Sequence, residues 1–274
     1  MLPLRFRVIR PYLASLIHCD FQRPPVTEVL RSLFRPGKEE RAAKYILRHQ
    51  DAGEFIAVYF TGHADTPFFY SRQFTWINLC ETVDECFNPE NWHEYLAGGL
   101  DLRKDDVVVD CGAAEGLFTF LAAPKVKKVF ALEPIPAWRP ALDKTFAGSS
   151  NVEILGVAVG HKSHETRMTN NGVYSGIDAG GELVIPVRTI DELFFAKNQP
   201  VTFIKADIEG NEFQALLGAE NTIRANRPRL SLTVYHKTNH VVEIQHFLKE
   251  IHRDYKFRTR GIADNGNPVL LQVF

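Results

Sequence analysis

Residues 107–120 read VVVDCGAAEGLFTF. Three β-branched residues lead to an acid, a glycine turn follows, and an apolar run opens at Gly116, which spells strand, tight turn and helix. In an open α/β sheet that junction binds nucleotide-like cofactors, because the crevice beyond the strand ends meets a helix N-terminus. A dinucleotide fingerprint asks for glycine at 112, 114 and 117, but Ala114 and Leu117 fill two of these places.

Working outward, short β-rich runs alternate with amphipathic helical runs from residue 105 on, the pattern of a parallel sheet covered on both faces. The strands are expected at Val107 to Asp110, Lys128 to Leu132, Val152 to Val157, Thr202 to Ala206, Leu230 to Tyr235, Tyr255 to Thr259 and Val269 to Phe274. A single helix is expected after the fourth, with Phe213, Leu216, Leu217 and Ile223 on one face, and another after the fifth through Val241, Ile244, Leu248 and Ile251. The last two strands are joined through the turn residues Asp264 to Pro268 with no room for a crossover helix, so these should form an antiparallel hairpin. The interval 160–187, with turn signals at Asn170-Asn171-Gly172 and Gly180-Gly181, reads as a β-hairpin excursion.

Residues 1–100 read as a helix-rich cap, with a helix at Glu39 to Arg48 and a helical turn around Trp92 to Leu96. Phe68, Phe69, Tyr70 and Trp76 are expected in the core rather than in a sugar-stacking wall. Residues 101–274 form the cofactor-binding domain. The formal charge of −1 gives no reason to bind nucleic acid or an anionic membrane. Arg5, Arg7 and Arg10 read as a solvated N-terminal helix or arm. No run of 18 uncharged residues and no export signal is found. Cys19, Cys80, Cys86 and Cys111 lack any pairing or zinc spacing, which suits a reducing, cytoplasmic setting. His161 and His164, or His246 and His252, have no third ligand at a convincing spacing, so no dedicated metal site is expected.

Charge separates the candidate cofactors. Asp110 and Glu115 would repel a pyrophosphate and attract a cation. S-adenosylmethionine, which carries a sulfonium and an ammonium and no phosphate, fits this turn better than a nicotinamide dinucleotide. The second strand ends at Glu133, 23 residues after Asp110, where a carboxylate is placed to accept from both ribose hydroxyls. The fourth strand runs into FIKADIEGNEF (203–213), which puts Asp207 beside the 110–116 turn, with Glu209 and Glu212 following. A helix N-terminus also favours such acids without any chemistry. The fifth strand ends in Tyr235, His236 and Lys237. His236 or Asp207 would take a proton from a hydroxyl nucleophile, with Glu209 as orienting acid.

Together VVVDCGAAEG, ALEPIP (131–136), RTIDEL (188–193), FIKADIEGNEFQALLGA (203–219) and PRLSLTVYHKTNH (228–240) resemble the FkbM-type S-adenosylmethionine-dependent methyltransferases, in the family's order and spacing. The resemblance covers about residues 100–274. It implies a Rossmann-like class I methyltransferase with a seven-stranded, mostly parallel sheet in the order 3-2-1-4-5-7-6. It places Asp110, Cys111, Gly112, Ala113, Ala114, Glu115, Gly116 and Glu133 at the cofactor and the loop after Asp207 near the methyl group, and it implies O-methylation of a sugar, glycolipid or secondary metabolite. Pro134, Ala158 and Asp207 itself are further expected cofactor contacts. The family often has Asn where this chain has Ala114. Asn171, Tyr174, Ser175 and Tyr235 are the expected acceptor contacts. A catalytically silent cofactor-binding scaffold is the rival reading, and a nicotinamide-dependent oxidoreductase a weaker one.

Overall fold

The computed structural model describes residues 7–15, 22–169 and 180–274. In the N-terminal part, α1 (Ile9–Ser15), α2 (Val26–Leu33) and α3 (Lys38–Ala42) precede a meander of β1 (Ile46–Ala52), β2 (Phe55–Phe60) and β3 (His63–Ser71), then α4 (Trp76–Phe87). The expected helix at 39–48 is therefore a short helix followed by a strand. β1 is an edge strand exposed along most of its length, so its polar residues show no alternation. A turn with Gly53 at φ 77° closes it onto β2. Phe60, Phe68 and Tyr70 are buried between this meander, α4 and the main domain, together with Leu79 and Trp138. Residues 92–96 form turns rather than a helix.

The main domain contains β4 (Val107–Cys111), α5 (Leu117–Ala122), β5 (Lys128–Leu132), α6 (Arg139–Phe146), β6 (Val152–Leu155), β7 (Ala158–Val159), β8 (His164–Met168), β9 (Leu183–Arg188), α7 (Ile190–Leu193), β10 (Phe203–Ala206), α8 (Glu212–Leu217), α9 (Glu220–Asn226), β11 (Arg229–Thr233), α10 (His240–Ile251), β12 (Phe257–Arg260) and β13 (Leu270–Val273). Seven of these strands form one sheet in the order β12-β13-β11-β10-β4-β5-β6. β13 runs antiparallel to both neighbours, and the remaining pairings are parallel. β7, β8 and β9 make a separate small sheet, with β8 and β9 antiparallel on either side of the segment 170–179.

The single helix expected after the fourth strand is two helices, α8 and α9. Gly218 lies between them, and a Cβ there would collide with the carbonyl oxygen of Gly160. The chain breaks its helical path where two backbones meet closely.

Residues 88–106 connect α4 to β4, and the stretch 94–97 is bound to β11, β13 and β12 of the sheet. Gln272 on β13 donates to the carbonyls of Tyr95 (3.2 Å) and Ala97 (2.8 Å), Ser231 on β11 donates to Tyr95 (2.8 Å), and Arg260 on β12 donates to Glu94 (2.8 Å). These side chains come from strands whose own ladders fix them, so Tyr95 is held at the carboxyl end of the sheet.

Candidate active site

A cleft enclosing about 830 Å³, open solvent included, lies beyond the ends of β4 and β10, where the strand order reverses. It is lined by Gly112, Ala113, Ala114 and Glu115 of the turn, by Lys205, Asp207, Glu209 and Tyr235, and by Asn78, Glu81, Thr82 and Glu85 of α4 with Tyr95.

The turn is shaped by backbone requirements. Gly112 adopts φ 74°, and a Cβ on it would collide with the carbonyl oxygen of Asp207, so the two strand ends touch only because residue 112 has no side chain. Ala114 adopts φ 46°, a left-handed conformation that costs a non-glycine residue about 1–2 kcal/mol and that Asn tolerates better. The Ala that departs from the family's Asn is thus a position of backbone strain. Gly116 adopts φ 88° and packs against Leu142 and Phe146 as it opens α5.

Asp110 is fully buried and is not among the residues lining the cleft: Thr119 donates to Oδ2 at 2.7 Å, and Lys205 Nζ lies 3.0 Å from Oδ1. Lys205 also donates to the Gly112 carbonyl at 2.8 Å. Burial alone would lower the Lys205 pKa, but Asp110 and Asp207 outweigh it and raise the value, so the ammonium stays charged. Cys111 is buried in β4, and burial raises its thiol pKa.

Glu133 ends β5 and accepts from the backbone N–H of Ala114 and of Ile135, each at 2.8 Å. Burial pushes its carboxyl up to about 7, and the two N–H donors act against that rise. Glu133 thus holds the glycine turn by its strained residue. Glu133, Pro134 and Ala158 are not among the residues lining the cleft, and Ala158 pairs with Val187 in the small sheet. Glu115 does line it, and burial likewise moves its carboxyl up to about 7.

Asp207 receives a hydrogen bond from Tyr95 at 2.7 Å on Oδ2 and from Thr233 at 3.0 Å on Oδ1. Burial pushes its pKa up, but Lys205, His93, the Tyr95 phenol and His236 together overcome this and lower it, so the group is ionised. His236 lies behind Glu209, with Nε2 3.3 Å from Glu209 Oε2. Burial lowers the imidazole pKa, yet the bond to Glu209 and the charges of Asp207 and Glu212 raise it on balance. Asn171, Tyr174 and Ser175 fall outside the described residues. Tyr95, Lys205, Glu85 and Glu212 join the site without having been named as site residues from sequence. Lys205 carried a signal there, as a charge inside an apolar strand, and Glu212 one as a member of the acidic run that follows it.

The donor set fits S-adenosylmethionine. Five acidic side chains, Glu81, Glu85, Glu115, Asp207 and Glu209, line the cleft against one ammonium among the described residues, that of Lys205; burial raises the Glu85 and Glu115 carboxyls, while Asp207 is ionised. That field favours a sulfonium and an ammonium and opposes a pyrophosphate.

A sheet of this order with an acidic glycine turn at its switch point defines a methyltransferase-like α/β protein. The profile of the FkbM methyltransferase domain matches residues 110–265, and the chain belongs to that family, whose methyl donor is S-adenosylmethionine. Among solved structures it is similar to the FkbM methyltransferase of Methylobacillus flagellatus KT, at 24% identity and a TM-score of 0.52, covering 72% of this chain and 52% of that one. The chain therefore spans about half the length of that structure. An rRNA methylase from Streptococcus thermophilus is more distant, at 16% identity, 63% and 86% coverage and a TM-score of 0.41. No match is found among curated proteins. Among the described residues, no helix is long and apolar enough to cross a membrane.

Proposed function

We propose that the protein methylates a hydroxyl group of a sugar, glycolipid or secondary metabolite. The observation that carries this reading is the pair of carboxylates, Asp207 and Glu209, facing the cleft with His236 directly behind Glu209. When bound, S-adenosylmethionine supplies an electrophilic methyl group on a sulfonium, held by the 112–115 turn and the surrounding carboxylates. A hydroxyl is a weak nucleophile, so a base in contact with it accelerates attack by about 100 to 10,000-fold. Glu209 lines the cleft and is assigned as proton acceptor, with His236 donating through Nε2 to fix its orientation. Asp207, ionised and tied to Tyr95 and Thr233, presents a fixed negative charge that orients the acceptor or the cationic donor. Asn78, Thr82 and Glu81 on α4 offer the polar wall that a polyhydroxylated acceptor requires.

The test is methyl transfer from isotopically labelled donor to a panel of sugars, glycolipids and hydroxylated metabolites, with product linkage read by mass spectrometry and NMR. Methyl ethers are expected, with Glu209→Gln lowering kcat at least 100-fold in a folded protein. Methylation at nitrogen or carbon would overturn the hydroxyl assignment. Donor binding without turnover on any acceptor would favour a silent scaffold.

A further inference from the structure

Behind the cleft wall, one ligand atom each from Asp207, Glu212 and His236 lie within 4.8 Å of one another. They come from the loop after β10, the first turn of α8 and the loop after β11, so no short sequence spacing announces them. Glu212 is fully buried. Its Oε1 accepts from the backbone N–H of Ile208 (3.0 Å) and Gly210 (3.2 Å), while Oε2 has no hydrogen-bond partner. His240 Nδ1 lies 3.6 Å from Oε2, beyond hydrogen-bond reach. The Thr233 hydroxyl lies 3.0 Å from Asp207 Oδ1 and 3.1 Å from Glu212 Oε1, but one proton serves only one of them.

The ring of His236 completes the argument. Its Nε2 faces Glu209 at 3.3 Å, which places the proton of a neutral imidazole on that nitrogen. The lone pair of Nδ1, which has no hydrogen-bond partner, then turns toward Glu212 Oε1 at 3.8 Å. Two acceptors facing each other in a buried site repel unless a proton or a metal cation lies between them. A carboxylate receiving the outer N–H of an imidazole whose inner nitrogen binds a cation is the usual support of a metal-ligating histidine.

We propose that Asp207, Glu212 and His236 bind one divalent cation, with Glu209 as the carboxylate that orients the histidine. Two carboxylates and one imidazole suit Mn²⁺ or Zn²⁺, and three protein ligands leave coordination positions open. Asp207 also lines the cleft, so the cation would share one ligand with the cleft. The site stands independently of the acceptor's identity and of whether the acceptor is a hydroxyl.

The experiment uses the whole chain stripped with EDTA and titrated with Mn²⁺, without donor or acceptor, by electron paramagnetic resonance and calorimetry. One Mn²⁺ per chain is expected, with His236→Ala and Glu212→Gln each weakening affinity tenfold or more and Glu209→Gln weakening it about tenfold. Asp143→Asn, which removes a surface partner of Arg139, leaves binding unchanged. His236 is partly accessible, so its variant keeps the test decisive if Glu212→Gln fails to fold. The proposal is overturned if the folded parent binds neither Mn²⁺ nor Zn²⁺ stoichiometrically, or if Asp207→Asn and His236→Ala bind as the parent does. It is equally overturned if ¹⁵N spectra with saturating Zn²⁺ show both His236 nitrogens protonated, since a proton then fills the gap.

Discussion

Tyr95 donates its phenol to Asp207 across 2.7 Å, joining residues 112 positions apart. Through this bond the N-terminal segment tunes a carboxylate at the end of the fourth strand of the main sheet. The Tyr95 backbone is held separately by Ser231 and Gln272, so phenol and fold can be uncoupled by mutation.

Tyr95→Phe removes a donor that favours the charged carboxylate, so the Asp207 pKa rises from its lowered position. The acid limb of the pH–kcat profile should move to higher pH, with the protein still folded by circular dichroism. A bond to a charged group contributes about 1.5–3 kcal/mol. An unmoved acid limb would show that Asp207 ionisation does not govern turnover.

Lys205→Met leaves Asp110 buried at 0% exposure without its cation. Breaking such a pair by removing one partner costs about 3–5 kcal/mol, mostly the uncompensated charge. Chemical denaturation should show this loss, and Asp110→Asn in the same chain should restore a good part of it. Equal stability of the single and double variants would mean that the unpaired Asp110 is not the source of the loss.

Ala114 offers a gain. Ala114→Gly removes the left-handed strain, against a greater entropy in the unfolded chain, for a net rise of up to about 1 kcal/mol in urea denaturation. A loss of stability would mean that the Ala114 methyl contributes more through packing than its backbone costs.

Glu133 gives a pH signature. Its folded carboxyl titrates near 7, against about 4.5 unfolded, so between these values the folded state holds the extra proton. Stability relative to Glu133→Gln is therefore highest below pH 4.5 and declines as pH rises toward 7. About 2.5 units correspond to roughly 3 kcal/mol. Thermal melts of both proteins across that range read the difference directly, and a flat difference would place the Glu133 pKa near its ordinary value.

Much of the main domain was legible because its strands are apolar, short and regularly punctuated. Val107 to Asp110, Lys128 to Leu132 and the Asp264 to Pro268 turn each carried a local signal. β1 was illegible because an exposed edge strand needs no apolar alternation, and its polar residues imitate a helix surface. The divided helix at Gly218 depended on a contact with Gly160, 58 positions away, that no periodicity encodes. Within the site, the acids after the fourth strand were visible as a cluster, whereas Tyr95 enters through long-range bonds. The pairing of Asp110 with Lys205, 95 positions on, was illegible as well, because the two become adjacent only when β4 and β10 pair.

The grip of Gln272 on the Tyr95 and Ala97 carbonyls also sets an order of events in folding. β13 must cross between β11 and β12 before that grip can form, so a contact spanning 177 positions completes one wall of the cleft. Such a distant closure is slow compared with the local pairing of β1, β2 and β3. During refolding, donor binding should therefore trail the recovery of far-ultraviolet circular dichroism, since most of the sheet and helices can form before the wall that carries Tyr95 is seated.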